Sequence, residues 1–452
     1  PDREFTGLRR ALAGYLGHGL TADHVWAGNG SNEILQQILQ AFGGPGRTLL
    51  SFLPSYSMYP LLAGGTDTVF VDGGRAADHT LSAEHAAAMV REHRPHVVFL
   101  ASPNNPTGTA LDLATIEAVY AAQAENEAAG GPGAMVVVDE AYAEFALAGT
   151  RSALTLLPGR ERLIVTRTMS KAFALAGARL GYLAADPAVA DALRLVRLPY
   201  HLSAVTQATA EAALDHVDAL LRTVEDIKAQ RDRIVSTLRG LGLRPSVSDS
   251  NFVFFGHLED ASDVWRRLLD RLHRTWRLAC GDAAEPTAVV IDSRSCKSAP
   301  SCFERGFDGG KKINGVKVHL GVDKYGIPLA IDISPANVHD TKGIIPVLRE
   351  LSGKGFRGSA LGDLGYRGKR LAKAGKKLGI TVDPVARGRD GKFLPAGICW
   401  VVERSFSWIA NYRRLNTFFK RTREHLVAFI EIAFVSILAR RLKRLVIEEV
   451  SA

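Results

Sequence analysis

The sequence predicts an α/β protein made of two units with different chemistry, and three observations carry that expectation. From about residue 20 to 200, short apolar runs alternate with helical patterns, the rhythm of a largely parallel sheet covered by helices. After about residue 280, short apolar runs ending in aspartate precede a long helical segment. Between the two the charge changes sign. Residues 1–270 carry 23 Lys and Arg against 30 Asp and Glu, a balance of −7; residues 271–452 carry 33 against 17, a balance of +16.

The chain of 452 residues is 46% hydrophobic and 23% charged, enough for two or three ordinary cores. No apolar run reaches membrane-spanning length and no signal-type segment opens the chain, so a cytoplasmic protein with no membrane partner is expected. Pro1 in place of Met suggests a fragment or a processed start. The basic half points to a polyanion, DNA foremost; the alternative is a solvated basic surface. Cys280, Cys296, Cys302 and Cys399 all follow the charge change. They lack the close pairs of a zinc site and are expected to be reduced and structural.

In the first half, HVWAGNG (24–30), TLLSFL (48–53), VVFLASP (97–103), MVVVDEAY (135–142) and LIVTRTMS (163–170) read as buried strands. SNEILQQILQAF (31–42) and LATIEAVYAAQAENEAAG (113–130) read as helices between them. Such sheets bind ligands at the carboxyl ends of their strands, and the chemistry-bearing residues gather there. AGNGSNE (27–33) runs from strand into helix, so the amides of Ser31 and Asn32 face an anion. SPNNPTGT (102–109) sets Asn105 in a Pro-fixed turn. VVVDEAY (136–142) ends an apolar strand on Asp139, a costly place for a carboxylate unless a cation meets it. TRTMSKAFALAGARLGY (166–182) places Lys171 beside Thr168 and Ser170, with Arg179 downstream. Each alone reads as a turn, cap or core residue. Together they are what pyridoxal phosphate requires: an amine for its carbonyl, an acid for its pyridine nitrogen, and a phosphate grip.

On GNGSNE, PSYSMY, SPNNPTGT, VVVDEAYAEF, RTMSKAFALAGARLGY and RLPYHLSAVTQ, the stretch from Pro1 to about Asp270 resembles the fold-type I aminotransferases of class I/II. Among these it resembles the histidinol-phosphate aminotransferases specifically. The resemblance implies Lys171 as Schiff-base lysine and proton shuttle, and Asp139 against the pyridine nitrogen. It implies Asn105 and Tyr142 on the ring hydroxyl, Tyr56 stacked on the ring, and Ser31, Asn32, Thr168, Ser170 and Arg179 around the phosphate. It also implies a homodimer that exchanges amino groups between histidinol phosphate and 2-oxoglutarate in histidine biosynthesis. The expected unit is 1–271, without the family's amino-terminal arm. Its small domain starts at SDSNFVFFGHLEDASDVWRRLLDR (248–271) and stops before the family's substrate-holding arginine.

In the second half, TAVVIDS (287–293) reads as a strand ending in Asp292. KINGVKVHLGVDKYGIPLAIDIS (312–334) reads as two strands joined by a DKYG turn, and RGSALGDLGYRG (357–368) as an apolar run ending in Asp363. Residues 399–445 read as helical, with Glu403 near the start and an apolar side at Val402, Phe406, Ile409 and Leu415. Singly these acids are turn or cap residues. Converging, two strand-end aspartates and a helix glutamate hold two magnesium ions for phosphodiester cleavage and strand transfer. Arg404, Arg413, Arg414, Lys420 and Arg421 make the same segment basic enough for DNA.

On VIDSRS, GFDGGKKINGVKVHLGVDKYGIPLAIDISPANVHD, LGDLGYRG and VVERSFSWIANYRRL, the chain from about 280 to its end resembles insertion-sequence transposases of the DDE type, with an RNase H-like fold. The resemblance implies Asp292, Asp363 and Glu403 as the catalytic, magnesium-binding triad and Arg404 as a phosphate contact. His319 and His339 are either further site residues or structural histidines. The expected unit is 272–452, without the family's amino-terminal DNA-recognition part. Cys399 stands where some relatives have an arginine.

WRRLLDRLHRTWRLACG (265–281) joins the halves without a Pro/Gly/Ser-rich linker. That is expected of an insertion element read through in frame, or of two coding sequences joined. The name-giving activity expected is transamination; the alternatives are DNA transposition and an inactive fusion.

Overall fold

A computed structural model describes residues 2–256, 258, 260–385, 400–418 and 422–451. The chain divides into two compact units, Pro1–His257 and Leu258–Ala452.

The first unit runs α1 (Thr6–Leu16), β1 (Val25–Gly28), α2 (Ser31–Phe42), β2 (Thr48–Ser51), α3 (Met58–Gly65), β3 (Val69–Asp72), α4 (Ala83–His93), β4 (Val97–Ala101), α5 (Leu113–Ala128) and β5 (Met135–Asp139). It continues through β6 (Leu163–Thr168), β7 (Gly181–Ala185), α6 (Pro187–Val196), α7 (Ala204–Asp215) and α8 (Val217–Gly240). The sheet order is β1-β7-β6-β5-β4-β2-β3. β3, β2, β4, β5 and β6 are parallel, and β7 turns antiparallel to β6. Every residue of β4, β5 and β7 is buried, as a sheet covered on both faces requires. Trp26, Tyr59, Phe99, Phe145 and Phe173 fill the core.

Five expected strands and both expected helices are present. Two strands escaped the sequence reading. β3 lies at the sheet edge with its first and last residues exposed, so it shows no apolar face. β7 is hidden inside the lysine motif, where Gly181 and Tyr182 read as the end of a loop.

The second unit runs α9 (Ala261–Ala279), β8 (Ala288–Lys297), β9 (Gly306–Asp308), β10 (Ile313–Val322), β11 (Pro328–Pro335), α10 (Asp340–Gly353), β12 (Ser359–Gly362) and α11 (Lys369–Lys377). β13 (Thr381–Pro384), α12 (Trp400–Ala410), α13 (Arg413–Asn416) and α14 (Arg423–Ser451) complete it. The sheet order β11-β10-β8-β12-β13 puts the first long strand at the centre, antiparallel to β10 and parallel to β12, as an RNase H-like sheet does.

Two sequence expectations need correction. β8 does not end at Asp292: β10 pairs with it from Val290 to Lys297, so Asp292 lies mid-strand. Residues 399–445 are not one helix. The chain breaks between α12 and α14 because Phe418 is fully buried and its amide donates to the Lys297 carbonyl at 3.1 Å, pinning an extended residue beside β8. Cys399, Lys420 and Arg421 lie outside the described residues.

α9 belongs to the second unit. Asp260 caps its start by accepting from the Ser262 amide at 2.8 Å. Leu269, with Leu272 and Trp276, joins a core that includes Phe418, Leu426, Ile430 and Phe434. His273 and Arg277, one turn apart, both reach the buried carboxylate of Asp323, at 2.9 and 2.8 Å. Compactness places the join between His257 and Leu258, ahead of the expected 271/272.

Candidate functional site

In the first unit, the singled-out residues stand beyond the carboxyl ends of β1, β2, β4, β5 and β6, with Arg179 just before β7. Gly30 (φ 84°) turns the chain from β1 into α2, and a methyl group there would lie 2.4 Å from Arg179 Nη2. The first amides of α2, at Ser31 and Asn32, have no carbonyl one turn back to bind. Arg179 is exposed, and its two carbonyl contacts, to Asn29 and Ala176, are both 3.5 Å long. Thr168 donates to the Leu180 carbonyl at 3.1 Å, which leaves its oxygen to accept the Ser170 hydroxyl at 2.9 Å. A helix start, a weakly engaged guanidinium and a Ser170 hydroxyl that can turn from Thr168 fit a phosphate dianion, with Thr168 buttressing Ser170.

The ring side is equally defined. Tyr56 donates to Asn32 Oδ1 at 3.1 Å, and its ring meets that of Tyr59 edge-on at 5.5 Å. Asn105 Nδ2 points to the Tyr142 hydroxyl at 3.5 Å, and Lys171 Nζ lies 5.4 Å from the centre of the Tyr142 ring. Lys171 is exposed and makes no ion pair among the described residues. The adjacent acids differ. Glu140 is neutralised by Arg167 at 2.8 Å, whereas Asp139 is buried and no cation pairs with it among the described residues. Burial pushes the Asp139 carboxyl above its ordinary value, and hydrogen bonds from Tyr59 and Thr166 pull the other way. An acid held like this is completed by a cationic nitrogen, so the chemistry of the set fits a protonated pyridine as well as a phosphate.

The sequence reading missed three residues here. Tyr59 and Thr166 hold Asp139, and the fully buried Asn104 clamps the Pro-rich turn by donating to the Pro54 carbonyl and Thr107. The tyrosine three residues after Tyr56 was the available signal for Tyr59. Asn104 and Thr166 had none.

Gly181 supports the phosphate side. A methyl group on it would stand 2.2 Å from the backbone nitrogen of Ser31, and backbone cannot move as a side-chain end does. Gly181→Ala is therefore expected to displace the start of α2. Pyridoxal phosphate affinity should fall at least tenfold and stability by about 1–3 kcal/mol, the usual cost of overpacking. Cofactor titration and thermal unfolding check both; unchanged affinity would refute the close approach.

In the second unit, parallel pairing sets Leu361 of β12 opposite Val290 of β8, so Asp363 follows alongside Asp292 two residues on. Burial, then the nearby Asp363 and Asp340, push the Asp292 carboxyl up to about 6. Asp340 itself is engaged, accepting from Ser293 at 2.6 Å and Lys317 at 2.9 Å. Glu403 does not join the pair. It faces outward from α12, whose Val402, Phe406 and Ile409 turn inward, and among the described residues no three His, Cys, Asp or Glu are gathered to hold a metal. The residues thus fit a divalent ion only in part. Arg404 is stacked between Trp400 and Trp408, its guanidinium 4.4 and 4.8 Å from their ring centres. His319 is buried against Ser334, with its imidazole pushed down to about 4 by burial, and His339 caps α10.

The raised Asp292 has a measurable consequence. The folded chain holds this proton more tightly than the unfolded chain does, so stability falls as pH rises from 3.8 through about 6 and stays lower above. Asp292→Asn is expected to stabilise the second unit at pH 7.5 by about 1–3 kcal/mol and to change it little at pH 4. Denaturant unfolding at both pH values checks this. Equal effects at both would refute it.

Residues 1–282 match the model of the family described as aminotransferase class I and II, and residues 283–390 that of the transposase DDE domain. The histidinol-phosphate aminotransferase of Paenarthrobacter aurescens is 68% identical over 270 residues, 60% of this chain and 71% of that protein. That of Thermobifida fusca is 61% identical over 271 residues, again 60% and 71%. A crystal structure of histidinol-phosphate aminotransferase from Sinorhizobium meliloti in complex with pyridoxal-5'-phosphate superposes with a TM-score of 0.52 at 29% identity, covering 60% of this chain and 71% of that one. Among the described residues, no helix is long and apolar enough to cross a membrane.

Proposed function

The chain belongs to the class I and II aminotransferase family, and from that premise we propose that its first unit is a pyridoxal-phosphate transaminase acting on histidinol phosphate and its 2-oxo counterpart, with glutamate and 2-oxoglutarate. The observation that carries the reading is a pair of unmatched charges. Among the described residues, the exposed Lys171 amine pairs with no carboxylate and the buried Asp139 with no cation. The curated relatives' identity of 61–68% over this unit supports the substrate.

Bound there, the cofactor would supply an electron sink for the substrate's α-carbon. Ser31, Asn32, Thr168, Ser170 and Arg179 would hold its phosphate, and Tyr56 would cover one face of its ring. Asn105 and Tyr142 would fix the ring hydroxyl, and Asp139 would keep the pyridine nitrogen protonated. Lys171 Nζ, paired with no carboxylate among the described residues, would carry a proton to and from the reacting carbon. The exposed Leu195, Leu198, Tyr200 and Val205, 62–87% accessible, support a homodimer through this unit.

The experiment is a titration of the purified chain with pyridoxal phosphate, followed by histidinol phosphate or aspartate with 2-oxoglutarate. A visible band and turnover preferring histidinol phosphate are expected. Soluble protein with no band would remove the reading.

The Asp292–Asp363 pair favours a second activity. We propose that residues 272–452 descend from a DDE transposase that uses magnesium to cut DNA. Magnesium-dependent nicking and salt-sensitive DNA retention are its tests; no retention at low salt would count against it.

A further inference from the structure

We propose that Tyr59 is a positioning residue of the first unit: its phenol holds Asp139 ionised and ties that acid to Tyr56 on the ring face. The inference rests on the aminotransferase reading above.

Tyr59 is fully buried on α3, and its hydroxyl donates to Asp139 Oδ2 at 2.9 Å. Thr166 of β6 donates to the other oxygen, Oδ1, at 3.3 Å. A buried phenol needs an acceptor and a buried carboxylate needs donors, so each satisfies the other. The Tyr59 ring packs edge-on against Tyr56 at 5.5 Å and against Phe99 at 5.1 Å. One side chain therefore links the face and the floor of the ring site. The other charged and titratable groups nearby are occupied or neutral. Glu140 pairs with Arg167, Tyr142 faces Asn105, and Arg75, beyond the phenol, spends its guanidinium on the Phe52 and His79 carbonyls. Burial, then Asp139 itself, pushes the phenol well above its ordinary value, so it stays a donor across the working range.

A donor on a carboxylate stabilises its ionised form, and an ionised Asp139 keeps the proton on the pyridine nitrogen. Without the phenol that proton shifts toward Asp139. The ring then carries less positive charge, and a protonated nitrogen beside it holds its own proton more tightly.

Tyr59→Phe keeps the ring and removes only the donor. In the full chain loaded with pyridoxal phosphate, the pH midpoint of the visible band should move up by about half a unit or more. kcat should fall about tenfold or more, with KM within about twofold, as loss of a hydrogen bond to a charged group predicts. Thr166→Val should shift the midpoint the same way. Phe99→Leu, which touches the Tyr59 ring but not Asp139, should lower the Tm and leave the midpoint alone. If Tyr59→Phe lowers only the Tm, the residue is merely structural and the proposal falls while the aminotransferase reading stands. If the unaltered chain takes up no cofactor, both fall together.

Discussion

Lys171→Ala is expected to abolish the visible band that pyridoxal phosphate gives with the unaltered chain and to lower transamination by about 10³-fold or more, the scale of a lost catalytic base and covalent anchor. The site has no substitute amine. Of the arginines at this end of the sheet, Arg179 stands beside Gly30 and the start of α2, on the phosphate side, and Arg167 is taken by Glu140. Lys171→Arg should fail as completely, because a guanidinium does not give up its proton near neutral pH. Both variants should fold, since Lys171 is exposed and makes no ion pair among the described residues. Absorbance and turnover of the three proteins, prepared alike, check this. A band that survives in either variant would remove Lys171 from its proposed role.

The second large effect belongs to the other unit. Asp323→Ala should destabilise it by about 3–5 kcal/mol, the cost of breaking a buried ion pair from one side. Asp323 has no exposed surface, and it accepts from His273 and Arg277 of α9 and from the Tyr325 and Ile327 amides. Burial pushes its carboxyl up, but His273, the Ile327 amide and Arg277 together hold it below the ordinary 3.8. Its contribution to stability is thus present above pH 3.8 and lost as pH falls through the lower folded value. Replacing His273 and Arg277 together should remove most of what Asp323→Ala removes, since the residues act as one network. Unfolding of the full chain, with the cofactor band reporting the first unit separately, tests the assignment. A loss below about 1 kcal/mol would mean that α9 is only resting on this unit.

Much of the first site was legible because its residues sit at fixed offsets from strong patterns. Asp139 closes a run of apolar residues, Ser31 follows a Gly-rich turn, and Lys171 follows β6 by three residues. β3 was not legible, because an edge strand with exposed ends has no alternation to read. The three helices after residue 400 were read as one, because a buried Phe418 looks in sequence like another residue of a helical apolar face.

What the sequence by itself determined is the pair of fold classes, the change of charge at the seam, and which side chains carry chemistry. Those depend on local period, composition and residue type, which need no partner. Tertiary structure decided the company each group keeps. Register alone sets Asp363 beside Asp292, and packing alone turns Glu403 outward. α9 shows the difference most directly. Its sequence continues the first family's pattern, yet its apolar face joins the second core, because an amphipathic helix specifies that it must be covered and not by what.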